Sequence, residues 1–261
     1  MSPYPLHGFI GQEIVAWVEA NKKAHKELFE EAEKLNNDCY RILGDLKINK
    51  NDLRQTVIAC LFPRCMELFQ ATYILVARGM CPSANIIFRS LMETTFALCA
   101  TAKDDEALEA YILNDELWRL KLTNKMLRHK GDTFAEISHE ALQEINTELA
   151  KKIKGQKIKK FSTEEFSKRA GLHDWYVTAY ASTSNAVHAT IRDMEQYLEI
   201  DEKDDIKAIR FGPTDKDIHT ILSVACWSLV RSLEQFLLVF GQDTRVCEEH
   251  AEILKPLMEL K

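Results

Sequence analysis

Residues 81–102, CPSANIIFRSLMETTFALCATA, constrain the fold of this chain more than any other segment. Pro82 suits the first turn of a helix, where its missing N–H is not needed. The apolar residues that follow surround the whole helix instead of forming one stripe, and a helix of that kind is normally buried. They are Ile86, Ile87, Phe88, Leu91, Met92, Phe96 and Leu98. The segment therefore predicts a helix in the centre of a folded core.

Two charged residues interrupt this apolar helix. Arg89 and Glu93 are four residues apart and so share one face. Buried charges are costly unless they are paired and hydrogen-bonded. We therefore predict that a neighbouring helix presents polar partners to this pair, and we take Arg89 and Glu93 as the first candidates for a functional site.

The rest of the chain is typical of a helical protein. Its 9 Gly and 6 Pro lie mostly between long segments of helical periodicity. These segments predict an all-α fold, a single domain (1–261) of about nine helices around a central buried hairpin. The predicted domain consists of a long N-terminal helix (11–44), a core (52–241) and a C-terminal helix (244–260). The charged run 22–34 is expected to be the solvated face of the first helix.

Several helix ends can be assigned from capping residues. Asn51 or Asp52 can cap a second helix that reaches Arg78, with a kink or a split at Pro63. The turn at 79–82 then makes the second and third helices an antiparallel hairpin. A fourth helix is predicted to begin at Asp104 or Asp105, and a fifth to cover about 133–154. The capping box 162–165 begins a sixth helix. Thr214 caps a later apolar helix that reaches Phe240.

A predicted seventh helix, from His173 to about Leu198, carries a second polar pattern. Tyr180, Ser184 and His188 follow one another at intervals of four, so they lie on one helix face among small residues that allow close approach. We expect this face to meet Arg89 and Glu93. The hypothesis assigns catalysis to Arg89, Glu93 and His188, and ligand binding to Glu67, Tyr180, Ser184 and Asn185.

Three classes of function fit these residues. The first is an enzyme in which His188 moves a proton near neutral pH and Arg89 holds an anionic, phosphorylated or nucleic-acid substrate, in a defence or toxin setting. The second is a non-catalytic binding or sensor bundle with the same pocket. In the third, the protein serves interactions and the polar cluster is structural.

A basic stretch lies in the middle of this acidic chain. Residues 119–171 contain 13 Lys and Arg against 7 Asp and Glu, whereas the whole protein has a net charge of −6. Such a stretch is either a solvated connector or a patch that contacts phosphates of a nucleotide or nucleic acid. The candidate patch consists of Lys151, Lys152, Lys154, Lys157, Lys159 and Lys160.

The motif Arg89-Ser-Leu-Met-Glu93, followed about a hundred residues later by Ser184-x-x-x-His188, resembles an uncharacterised bacterial family, domain of unknown function number 5677. That family has an R-S-L-x-E helix and a later S-x-x-x-H helix. The resemblance covers roughly 52–241 and implies that these positions act as a unit. It implies no activity.

A weaker resemblance is to HEPN helical bundles, whose RNase members use R-x(4–6)-H. The nearest match, Arg169 to His173, has three intervening residues and includes Gly171, so it departs from that motif. Two metal-like spacings, Glu136-x-x-His139 and Cys247-x-x-His250, lack the second pair that a metal site needs. The sequence therefore predicts no metal and no cofactor.

The seven cysteines form no C-x-x-C motif and lie mostly in apolar helical patterns, which is typical of reduced core thiols in a cytoplasmic protein. The N-terminal residues lack the features of a signal peptide, and the apolar run from Ile221 is interrupted by Arg231. We expect no membrane association. The predicted partners are an anionic small molecule or RNA, with a homo-oligomer as a further option.

Overall fold

The computed structural model describes residues 7–44, 46–129, 138–155, 160–183, 186, 191–203 and 205–259. The helices are α1 (Ile14–Ala24), α2 (Lys26–Gly44), α3 (Leu53–Ala77), α4 (Cys81–Lys103), α5 (Asp105–Arg128), α6 (His139–Gly155), α7 (Thr163–Ala170), α8 (His173–Trp175), α9 (Ile191–Met194), α10 (Ile218–Val239) and α11 (Arg245–Glu259). The two strands are β1 (Leu198–Ile200) and β2 (Ile206–Ile209), which pair antiparallel.

Helix α4 lies in the centre of the bundle, as its sequence predicts. It packs against α3, α10, α7 and α5, and Leu91, Met92 and Phe96 are fully buried. Helices α3 and α10 also pack against each other, and the rings of Phe62 and Phe236 stack there with their centroids 4.4 Å apart. The predicted all-α fold and central hairpin are confirmed.

Three predicted helix starts are confirmed by side-chain caps. The carboxylate of Asp52 accepts a hydrogen bond from the Gln55 N–H at the start of α3, and that of Asp104 accepts one from the Ala107 N–H at the start of α5. Ser162 and Glu165 form the reciprocal capping box of α7. Each cap pairs N–H groups that the first helical turn leaves without a partner.

The prediction of one long helix over 11–44 is wrong, because the chain breaks at His25 between α1 and α2. The side chain of Asn21 donates hydrogen bonds to the carbonyls of Val76 and Ala77, at 3.1 and 3.2 Å. This contact holds α1 against the end of α3, whereas α2 packs against α10 and α11. One straight helix cannot satisfy both, so the chain turns.

The predicted split at Pro63 does not occur, since α3 runs without interruption from Leu53–Ala77. Pro63 has no N–H, so the carbonyl four residues before it lacks its helical hydrogen bond. Pro63 lies on the exposed side of the helix, where water can bind that carbonyl. The predicted cap at Thr214 is also wrong. Helix α10 begins at Ile218, and the Thr214 hydroxyl instead accepts a hydrogen bond from the Lys216 N–H.

The predicted helix from His173 to Leu198 is wrong in two places. Residues Tyr176–Tyr180 wind as a π-helical turn, and Leu198 begins strand β1. Strand β2 is exposed at every position, so neither of its faces packs against the core. The first part of the predicted fifth helix, 133–137, lies outside the described residues.

Two helices in the described part of the chain, Leu53–Ala77 and Ile218–Val239, are long and apolar enough to cross a membrane. Most of their apolar residues belong to the core, although Leu53, Ile74 and Leu238 are exposed, and the hydrophobic windows of α3 and α10 are 44% and 67% buried. Core helices of soluble proteins have the same length and composition, and these two are consistent with a soluble protein.

Candidate functional site

Arg89 and Glu93 form an ion pair on α4, with 3.3 Å between Arg89 Nε and Glu93 Oε1. The pair is less buried than its sequence context suggests. The Arg89 side chain is 20% exposed and the Glu93 side chain 43% exposed, because this part of α4 has an open side where Ile86 is also exposed. The expectation that α4 has no free face is therefore wrong at this position.

Tyr180 meets this pair from the π-helical turn after α8. Arg89 Nη1 donates a hydrogen bond to the Tyr180 carbonyl at 3.2 Å, and Arg89 Nη2 donates to the Tyr180 hydroxyl. The hydroxyl in turn donates to Glu93 Oε1 at 2.6 Å. The guanidinium carbon of Arg89 is also 3.8 Å from the centre of the tyrosine ring. We refer to Arg89, Glu93 and Tyr180 as the Arg89 cluster.

The environment of Tyr180 favours its neutral form. Burial, which disfavours the phenolate, and the hydrogen bond to Glu93 raise the pKa of Tyr180 to about 12. At neutral pH the hydroxyl therefore remains protonated, and it donates to Glu93 while it accepts from Arg89. The single proton donor of this hydroxyl is therefore engaged by Glu93.

Aromatic rings support Tyr180. The rings of Tyr176 and Tyr180 stack with their centroids 5.0 Å apart, and those of His173 and Tyr176 stack at 5.9 Å. The ring of Phe96, on α4, meets Tyr180 edge-on at 6.0 Å. The Thr183 hydroxyl donates to the Tyr180 carbonyl at 2.8 Å. Tyr180 is thus fixed through its ring, its hydroxyl and its carbonyl.

The structure brings three of the predicted site residues together and leaves others apart. Ser184, Asn185 and His188 lie outside the described residues, so their place beside the Arg89 cluster remains a prediction. Glu67 is on the exposed surface of α3, where it accepts a hydrogen bond from Arg64 at 2.9 Å. The expectation that Glu67 completes the cluster is not supported by this contact, which follows from its i,i+3 spacing.

The basic segment is only partly available for a ligand. Lys152 is 2.6 Å from Glu116 and joins α6 to α5. Lys151, Lys154 and Lys160 are exposed and have no ion pair within the described part of the chain. Lys157 and Lys159 lie outside the described residues. Three of the six lysines therefore present unpaired charges to solvent.

The HEPN-like residues serve the local packing. Arg169 donates hydrogen bonds to Asp104 at 2.7 Å and to Glu106 at 2.5 Å, and so joins α7 to the start of α5. His173 stacks on Tyr176, as described above. These contacts give Arg169 and His173 separate partners, and the HEPN resemblance remains unconfirmed.

A buried pair of polar side chains, His250 and Glu31, escaped the sequence analysis. His250, on α11, is fully buried, and its Nδ1 lies 2.5 Å from Oε1 of Glu31 on α2, a residue expected on a solvated face. Its Nε2 lies 3.2 Å from Asp38 Oδ2 but is poorly aligned for a hydrogen bond. The missed signal was periodicity, since His250 stands in the buried stripe of Cys247, Leu254 and Leu257.

No group of three or more His, Cys, Asp or Glu side chains suited to a metal ion occurs among the described residues. Glu136 lies outside them, and His139 is exposed at the start of α6. The Arg89 cluster contains one carboxylate, that of Glu93, which is paired with Arg89. The positive charge of Arg89 beside it disfavours a metal cation at this position.

Comparison with known proteins gave one result. The model of a family described as "Family of unknown function (DUF5677)" matches residues 55–206, which is more than half of the chain and includes all of the Arg89 cluster. The comparisons with curated proteins and with solved structures gave no match.

Proposed function

Because this chain belongs to the DUF5677 family, whose function is unknown, we propose its role from its own residues: a non-enzymatic interaction or sensor bundle in which the Arg89 cluster is structural. One observation carries this proposal. The Arg89 guanidinium uses both Nη atoms on Tyr180 and its Nε on Glu93. These contacts engage all three nitrogens of the guanidinium and pair its charge with Glu93, so the anionic group of a substrate would have to compete with the cluster for Arg89.

The chemistry of Tyr180 and Glu93 supports the same conclusion. A general base or acid is most effective when its pKa is near the working pH, and the pKa of Tyr180 is about 12. Glu93 Oε1 already accepts a hydrogen bond from the Tyr180 hydroxyl at 2.6 Å. The cluster therefore acts as a structural contact that fixes the π-helical turn to α4.

The ligand class that suits this bundle is a phosphorylated molecule or RNA, bound through the lysines of α6 and the segment after it. Lys151, Lys154 and Lys160 support this choice because they are exposed and unpaired within the described part of the chain. Their positive charge contrasts with the overall net charge of −6. Contacts of this kind would be sensitive to salt, because each releases counterions.

A second candidate is an enzyme that uses Arg89, Glu93 and His188. The observation that favours it is the exposure of Glu93, whose side chain is 43% accessible to solvent. A substrate could approach this carboxylate from the open side of α4. The role of His188 in this candidate rests on its sequence position alone.

Turnover assays with matched variants separate the two candidates. Purified protein is incubated with single-stranded RNA and with nucleoside triphosphates, and the products are followed by chromatography. We expect no turnover. Turnover that disappears in Glu93→Gln and in His188→Ala, but persists in the control Glu67→Gln, would replace the proposal with the enzymatic candidate. Binding of the same RNA, measured in parallel, tests the ligand class.

The proposed compartment is the cytoplasm. All seven cysteines are free, and six of them are buried in the helical core. This supports a reducing environment, where disulfides are rare.

A further inference from the structure

A cleft separate from the Arg89 cluster opens between α2 and the junction of α10 with α11. We call it the α2–α11 cleft. Its volume is about 830 Å³, which is in the range of small-molecule sites. All residues that line it lie outside the region matched by the family model, 55–206. Whatever it binds is thus a property of the flanking helices.

The cleft offers an apolar surface beneath a charged rim. Leu237 and Phe240, at the end of α10, line it together with Ile42 and Val246. Leu237 is buried, whereas Phe240 is only partly covered by the bundle and packs at the edge of the core. Phe240 also lies against Phe236, with 4.9 Å between the ring centroids, and the part of its ring that the bundle leaves open can contact a flat apolar group.

The rim carries more positive charge than the protein as a whole. Asp38 is hydrogen-bonded to Arg41 at 2.8 Å, and Asp243 is hydrogen-bonded to Arg245 at 2.5 Å. Those four charges are therefore used in pairs. Among the other charged residues of the described chain that line the cleft, Lys34 and Lys47 are basic and Glu249 is acidic. None of these three forms an ion pair with another described residue.

The wall beside Lys34 is held from inside the protein. Asp38 lies between Arg41 in the cleft and the imidazole of His250 in the core, 3.2 Å from its Nε2. His250 is itself fixed by Glu31 through Nδ1. Nε2 is fully buried and has no hydrogen-bond partner in the described part of the chain. The contact between His250 and Glu31 joins α11 to α2 in the core directly behind the cleft wall.

We propose that the α2–α11 cleft binds an organic phosphate of mononucleotide size, with its phosphate at the rim that carries Lys34 and Lys47 and its aromatic body against Phe240. Unpaired lysines suit a phosphate as point charges. The inference goes beyond the proposed function, because it stands whether the Arg89 cluster is structural or catalytic.

The test uses AMP as the probe, with adenosine and inorganic phosphate as its two halves. Titration calorimetry of the full-length protein should give a dissociation constant below about 1 mM for AMP and weaker binding of each half. The double variant Lys34→Gln/Lys47→Gln should weaken AMP binding about tenfold or more, because it removes charge-assisted hydrogen bonds. Phe240→Leu should weaken AMP and adenosine but leave phosphate unaffected.

The matched control is Lys50→Gln/Lys255→Gln, which removes two exposed lysines that do not line the cleft. It should bind AMP as the unmodified protein does. The proposal is overturned if AMP does not bind at millimolar concentration, or if the two double variants weaken it equally. Loss of AMP binding in Arg89→Met, with a normal result for Lys34→Gln/Lys47→Gln, would move the site to the Arg89 cluster.

Discussion

Arg89 contacts Tyr180 in three ways, through the face of its ring at 3.8 Å, through its hydroxyl and through its backbone carbonyl at 3.2 Å. Tyr180 cannot rotate its side chain or move its backbone without losing one of these three contacts. The arginine therefore fixes both the side chain and the backbone of the π-helical turn.

The first prediction tests the hydroxyl of this contact. Tyr180→Phe keeps the ring but removes the group that donates to Glu93 and accepts from Arg89. We expect the free energy of unfolding to fall by about 1–3 kcal/mol, since a partly buried charged group loses its partner. Urea denaturation measures the change.

Glu67→Gln is the control for this experiment, because Glu67 forms an exposed ion pair on α3. It should change the free energy of unfolding by less than about 1 kcal/mol. Equal effects of the two substitutions would mean that the Arg89 cluster contributes no more to stability than a surface ion pair.

The second prediction concerns the buried histidine. His250→Leu leaves Glu31 as a buried carboxylate without its partner, and we expect a loss of about 3–5 kcal/mol in the free energy of unfolding. The double variant Glu31→Leu/His250→Leu removes both polar groups and should recover part of that loss. His139→Leu, at an exposed site on α6, serves as the control. A double variant that is less stable than His250→Leu contradicts the explanation by an unpaired charge.

The third prediction concerns pH and the cap of α5. Burial alone would raise the pKa of Asp104, but the hydrogen bonds from the Ala107 N–H and from Arg169 outweigh it and lower that pKa below 3.8. A carboxyl group whose pKa is lower in the folded state stabilises the protein above its unfolded pKa, and this contribution is lost as the pH falls through the folded value.

Asp104→Ala should therefore cost about 1 kcal/mol at pH 7, the usual value of an N-cap. The difference from the unmodified protein should shrink as the pH falls below 3.8. Unfolding curves at several pH values give this comparison. Glu109→Ala, an exposed substitution on the same helix, should have an effect within about 0.5 kcal/mol at pH 7. If the loss of unfolding free energy caused by Asp104→Ala increases as the pH falls, the pKa of Asp104 is raised in the folded protein and the prediction is wrong.

The fourth prediction concerns thiol reactivity. Cys60 is exposed, whereas the other six cysteines are buried, and burial raises the pKa of Cys65 to about 12. A thiol reagent should modify one cysteine rapidly in the folded protein and all seven after denaturation. Cys60→Ser should abolish the rapid phase. Rapid reaction of a second cysteine would show that part of the core opens readily.

The fifth prediction tests the basic segment. Replacing Lys151, Lys154 and Lys160 with Gln should weaken binding of single-stranded RNA and reduce the slope of its salt dependence by about 2–3. Fluorescence anisotropy at several salt concentrations measures both quantities. The double variant Lys50→Gln/Lys255→Gln should have little effect. If the unmodified protein does not bind RNA at low salt, the segment is a solvated connector.

The sequence predicted the central helix and its caps because these depend on local signals. An apolar surface on all sides of a helix identifies α4, and Asp52, Asp104 and Ser162 each pair with an N–H group three residues away. The contact of Tyr180 with Arg89 and Glu93 followed from a physical requirement, since charges on a core helix need a polar partner.

Features that depend on distant contacts escaped the sequence analysis. The break at His25 follows from a hydrogen bond between Asn21 and the end of α3, more than fifty residues away. His250 and Glu31 are 219 positions apart. The π-helical turn brings Tyr180 to Arg89 and Glu93, but the local sequence has no pattern that distinguishes this turn from an α-helix. In each case tertiary contacts decide the outcome.

The stacking of Phe62 on Phe236 has a consequence for the boundaries of the folding unit. Phe236 belongs to α10, which begins after the family match ends at residue 206, and yet α10 packs against both helices of the central hairpin. A polypeptide limited to 55–206 would expose that apolar surface to water. It would need a substitute helix, from elsewhere in its own chain or from another molecule, so the segment recognised as a family is shorter than the segment that can fold by itself.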